Sequence, residues 1–148
     1  MNSQRVSNTS RRVQGFTEQL APIPVLVTNR YAYPAGKPRD IPAERLQAQI
    51  GQEIFDLLYQ TCQPAAILFH GAIAIRFAKK QFDLNLDPYL PLAEQTYLVP
   101  HGGGERLVLV FAYPHLSGVG VRKGFDVAGM NSELAQLARR IRQAVELG

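Results

Sequence analysis

Apolar residues recur along this chain in two alternating rhythms, one of helical spacing and one of continuous runs. Val13, Phe16 and Leu20 fall three and four apart and predict one face of a short helix capped by Ser10. Pro22 and Pro24 end it. Val25-Leu26-Val27-Thr28-Asn29, opened by Pro24, predicts a strand buried on both faces, as in a parallel sheet. A loop follows with Pro34, Gly36, Pro38 and Pro42. Asp40 and Pro42 mark a second helix start, and Leu46, Ile50, Ile54, Leu57 and Leu58 keep helical spacing to about Cys62, before Pro64.

Ala65-Ala66-Ile67-Leu68-Phe69 predicts another buried strand. His70-Gly71 then turns the chain into a helix over residues 72–80, with Ile73, Phe77 and Ala74 on its apolar face. Residues 83–91 are irregular, residues 96–99 suit a short strand, and His101-Gly102-Gly103-Gly104-Glu105 is a turn. Residues 106–112 make the third strong strand. A last helix, capped by Asn131 or Ser132, carries the stripe Leu134, Leu137, Ala138, Ile141 and Val145. Arg139, Arg140 and Arg142 are expected near its C-terminus, where positive charge suits the helix dipole.

Strands alternating with helices predict an α/β fold with right-handed crossovers. The expectation is a three-layer α/β/α sandwich around a small, mostly parallel sheet of three or four strands. It would form a single domain over residues 10–148 after a loose N-terminus, with no internal repeat.

Composition narrows the class. At 148 residues, 46% hydrophobic and 19% charged, the chain is long enough and apolar enough to bury a core. No apolar run approaches the roughly 20 residues of a membrane span. The first residues, MNSQRVSNTSRR, lack the apolar segment of a secretory signal, so a cytoplasmic protein is expected. A single cysteine, Cys62, allows no internal disulfide and no cysteine-built metal site. The net charge of +4 and the pI near 9.5 favour an anionic partner such as nucleic acid. Arg30, Lys37 and Arg39, interleaved with Tyr31 and Tyr33, suit a nucleic-acid strand, with charge for phosphates and rings for bases. The competing reading is a solvated loop with its tyrosines flat on the domain.

The candidate chemistry concentrates where the 106–112 strand breaks at Pro114. The loop beyond carries His115, Ser117, Gly118, Val119, Gly120 and Lys123. Small residues let a backbone approach another molecule, and hydroxyl, amide and ammonium donors suit a phosphate. A histidine there can stabilise an oxygen on which charge builds. His101-Gly102-Gly103-Gly104 is no phosphate loop, because it precedes a strand and lacks Gly-Lys-Ser/Thr. His70 ends a strand and reads either as structural or as a ligand contact. The three histidines have no metal-ligand spacing, so neither metal nor cofactor is expected. Ser117 has no hydrolase elbow around it.

His115-Leu116-Ser117-Gly118-Val119-Gly120-Val121-Arg122-Lys123-Gly124-Phe125 resembles the second signature of the uracil-DNA glycosylase superfamily, which reads H-P-S-P-L-S-x-x-R-G-F in its best-known branch. His, Ser, the basic residue, Gly and Phe match in register. Leu116 and Gly118 replace prolines, and Val119 replaces the intercalating leucine. Val25-Leu26-Val27-Thr28-Asn29 looks like the family strand whose terminal Asn reads the uracil edge. Residues 64–77, with Gly71 and Ala74, look like its central strand, glycine and helix. Together these cover about residues 10–147.

The resemblance implies roles. Asn29 would read a flipped base, and His115 would stabilise the charge on the uracil carbonyl oxygen. Ser117, Gly118 and neighbouring backbone would hold phosphates, Val119 would fill the vacated stack, and Lys123 would touch the DNA backbone. The family's first signature, G-Q-D-P-Y-H or a G-x-x-P-G variant, supplies the residue that activates water, and nothing in residues 1–20 matches it. Three explanations stand: a truncated relative, a substitute acid such as Asp40 or Asp83, or lost catalysis. The function classes in play are therefore a glycosylase acting on uracil in DNA, a non-catalytic nucleic-acid or nucleotide-binding module, and an interaction protein. The last would pair as a homodimer, or with a partner, through a sheet edge beside residues 24–28 or 106–112.

Overall fold

The computed structural model describes residues 8–28, 43–101, 106–114, 116 and 127–147. The chain forms two compact units, one of Met1–Val25 with Ala65–Gly148 and one of Leu26–Pro64. The first unit carries helix α1 (Asn8–Leu20), strand β1 (Ala66–His70), helix α3 (Ala72–Phe82), a 3-10 turn (Leu92–Glu94), strands β2 (Tyr97–His101) and β3 (Arg106–Tyr113), and helix α4 (Val127–Leu147). The second carries helix α2 (Glu44–Cys62). The architecture is α/β. No helix among the described residues is long and apolar enough to cross a membrane.

The sheet order is β1-β3-β2. β1 runs parallel to β3, with Ala66 opposite Leu109 and His70 opposite Tyr113. β2 runs antiparallel to β3, with Tyr97 opposite Val110 and His101 opposite Arg106. The sheet is therefore mixed, not mostly parallel as expected. Residues 102–105 alone join β2 to β3, too short for the crossover of about a dozen residues that a parallel pair needs.

Residues 24–28 form no strand. Leu26 and Val27 are each 60% exposed, although their pattern reads as doubly buried. Five apolar residues specify a strand only where a neighbouring ladder receives them, and none does so here among the described residues. Nor does β3 offer an edge, since β1 and β2 flank it on both sides. The edges belong to β1 and β2. On β2, exposed Pro100 has no N–H to offer a further strand.

Alternation in β3 sorts the core onto two faces. Phe111 and Tyr113 join Phe16 and Leu20 of α1 and Leu134, Leu137, Ala138 and Ile141 of α4 in one cluster, with Ala66 and Leu68 of β1 against it. The opposite face carries Val108, Val110 and Ala112, and in register with Ala112 lies Phe69, whose ring meets Phe77 and Phe82 of α3 at 6.4 and 6.1 Å between centroids. On α3 the most buried positions are Ile75 and Ala78, not the expected Ile73 and Ala74.

Gln95 extends the β2–β3 ladder with its side chain. Its Oε1 accepts from Ala112 N–H at 2.8 Å and its Nε2 donates to Ala112 O at 2.9 Å and Leu90 O at 2.8 Å. A fully buried amide thus supplies the rung that main chain supplies elsewhere. Arg140 and Arg142 do not serve the C-terminus of their own helix, which runs on to Leu147. Arg140 donates to Gln95 O at 2.7 Å and stacks over Phe111 at 5.1 Å. Arg142 donates to Gln19 O and Ala21 O at 2.7 and 2.8 Å, satisfying carbonyls at the end of α1.

Candidate nucleic-acid interface at the strand ends

Because β1 and β3 are parallel neighbours, their C-terminal ends lie level, His70 beside Tyr113. Gly71 N–H donates to Tyr113 O at 3.0 Å and so carries the ladder one residue past β1. Gly71 sits at φ 88°, ψ 152°, a conformation open to glycine and strained for other residues. That turn opens α3, with Ile75 N–H donating back to Gly71 O at 3.0 Å. In open α/β sheets, ligands bind in the crevice outside such carboxyl ends.

The chain leaves β3 through buried Pro114 and reaches Leu116, which is 2% exposed and belongs to the α1–α4 core. The Arg12 guanidinium of α1 donates to the Leu116 carbonyl. Leu116 is thus a hydrophobic anchor flanked by the two polar residues of the candidate motif. A lone leucine between His115 and Ser117 in a glycine-rich loop is the signal for it. No sequence feature announces Arg12, which acts across more than a hundred residues.

His115, Ser117, Gly118, Val119 and Lys123 lie outside the described residues, as do Asn29, Asp40 and the basic and aromatic loop residues Arg30, Tyr31, Tyr33, Lys37 and Arg39. Asp83 is described and exposed, and it follows the last residue of α3 in a left-handed conformation, φ 52°. Eleven residues of helix, about 16 Å of rise, separate it from the Gly71 turn, so it is not a water-activating residue at the strand ends. The two described histidines do not converge. His70 is half-buried at the strand ends, on the face that carries α1 and α4, whereas His101 is buried at the opposite end of the sheet beside Arg106. Among the described residues no group of three or more His, Cys, Asp or Glu side chains is gathered for a metal ion.

Beside this region α1 and α4 enclose an open depression of about 470 Å³, lined by Arg11, Arg12, Gly15, Phe16, Gln19, Asn131 and Leu134. Arg12, one of its lining residues, is the side chain that donates to the Leu116 carbonyl. No protein-family model, no curated protein and no solved structure matches the chain.

Proposed function

We propose that this protein recognises a base in DNA at the C-terminal ends of β1 and β3, in the manner of the uracil-DNA glycosylases. The observation that carries the reading is the origin of the motif loop. The segment His115–Phe125 leaves the central strand beside the end of a parallel neighbour, and its second residue is pinned by burial and by Arg12. Helices against both faces of the sheet suit the three-layer arrangement that the reading implies.

In this reading Asn29 pairs with the edge of the flipped base. His115 donates a hydrogen bond to the base carbonyl oxygen as the N-glycosidic bond breaks, the base leaves with the bonding electrons, and a solvent water adds to the sugar carbon and releases a proton. Ser117 and Gly118 hold phosphate, Val119 fills the vacated stack, and Lys123 neutralises backbone charge.

A second reading keeps the same site and omits base release. The location of Asp83 favours it, because one of the two substitute acids stands away from the strand ends.

The test is an oligonucleotide carrying one uracil, incubated with the protein and then treated with alkali. Strand cleavage that disappears in His115→Ala establishes the glycosylase. Salt-dependent binding without cleavage, weakened by Lys123→Ala, establishes the binding module. Absence of both removes the proposal.

A further inference from the structure

We propose that the depression between α1 and α4 binds a backbone phosphate of the nucleic-acid strand engaged at the strand ends, with Arg11, Arg12, Gln19 and Asn131 as its donors. The nature of the ligand rests on the proposed function; the anion preference does not. The depression has an apolar floor, since Phe16 and Leu134 are buried. Its wall stays open at Gly15, where a Cβ would meet nothing within 4 Å. Arg11, Gly15 and Gln19 follow one another at four-residue intervals on one face of α1, a strip about 12 Å long.

Among the described residues the rim carries two guanidiniums and two side-chain amides and no carboxylate. Arg11 is exposed, and no described carboxylate pairs with it. Arg12 uses one N–H on Leu116 O, and a guanidinium has five. Arg142 adds a third guanidinium beside the rim through its bonds to Gln19 O and Ala21 O. Planar guanidinium forks match the paired oxygens of a phosphate, and amide N–H groups complete the set.

Two features select a nucleic-acid strand over a small free anion. The depression is open, which suits one group of a longer polyanion. Arg12 also touches both the depression and the loop anchor, so a strand lying along α1 runs on to the strand ends.

The experiment pairs two probes on wild type, Arg11→Ala, Arg11→Lys and Asn131→Asp. Arg11 and Asn131 are exposed, so the variants should keep the wild-type melting curve. In the first arm inorganic pyrophosphate is titrated while the side-chain amide signals of Gln19 and Asn131 are followed by NMR. In the second, a single-stranded oligonucleotide is titrated at several salt concentrations. The expected result is pyrophosphate-dependent shifts confined to the α1–α4 seam and absent in Arg11→Ala. Oligonucleotide affinity should fall about three- to tenfold in Arg11→Ala, with the log–log salt slope reduced by about 0.7, one single-strand phosphate contact. Arg11→Lys should retain most of the affinity and Asn131→Asp should lose it.

Unchanged oligonucleotide affinity and slope in Arg11→Ala, with Lys123→Ala still weakening binding, would overturn the phosphate site while the proposed function stands. Amide shifts with pyrophosphate but no effect on the oligonucleotide overturn the nucleic-acid assignment. No oligonucleotide binding by wild type removes both.

Discussion

α4 and α2 carry equally regular apolar stripes, yet the two stripes meet opposite fates. On α4 Leu134, Leu137, Ala138 and Ile141 of the stripe are buried against Phe111, Tyr113 and α1, and only Val145 at its end is exposed. Of the α2 stripe, Leu46, Ile54 and Leu57 are 53%, 39% and 65% exposed, while Ile50 and Leu58 are half-buried. The sheltered side of α2 runs instead along Gly51, Phe55 and Tyr59, where the two rings stack at 5.8 Å. Periodicity in a sequence establishes that a helix has a side to bury. It does not establish which surface receives that side, and on α2 the aromatic side is the more protected one.

The contrast can be broken experimentally, and the effects should fall in a definite order. Leu137→Ala empties a site that is 2% exposed and should cost about 3 kcal/mol, read as a lower urea midpoint at unchanged m-value. Gln95→Ala leaves Ala112 N–H and C=O buried without their side-chain partners and should cost about 2 kcal/mol in the same assay. Equal stability of that variant would mean that solvent reaches this rung. Leu57→Ser changes an exposed residue of equal hydrophobicity and should stay within about 0.5 kcal/mol. A loss as large as that of Leu137→Ala would show that the α2 stripe is covered in solution.

The smallest effect concerns the sheltered side of α2. Burial raises the pKa of the Tyr59 phenol above its ordinary value of 10.0, because the phenolate is the form that burial disfavours. The folded protein therefore holds this proton longer than the unfolded chain does. Stability owed to Tyr59 should be constant through neutral pH and decline as pH rises beyond about 10. Tyr59→Phe should flatten the alkaline decline, and an ultraviolet difference titration against wild type should show the missing phenol ionising late. A phenol that ionises with the bulk of the six tyrosines would place Tyr59 in solvent.

Local chemistry wrote several elements plainly. Val13, Phe16 and Leu20 announced α1, and the β-branched and aromatic run of β3 announced a buried strand, as it is from Val108 onward with Leu109 half-buried. His70-Gly71 announced the turn from β1 into α3, because the required φ is one that glycine adopts freely. The same reasoning misled at residues 24–28, where an equally apolar run has no ladder among the described residues. At the candidate interface, strand order put the ends of β1 and β3 side by side, while the residues that the resemblance singles out lie outside the described part of the chain.

Spacing and composition along the chain determined the helices, the three strands and a basic protein with one concentrated stretch of candidate chemistry, because each depends on neighbours within a few residues. The direction of β2, the side-chain rung of Gln95, the exposed stripe of α2 and the hold of Arg12 on Leu116 were decided only in three dimensions. Each joins groups brought together by folding, and the gain from pairing a buried polar group or covering an apolar one depends on what stands opposite.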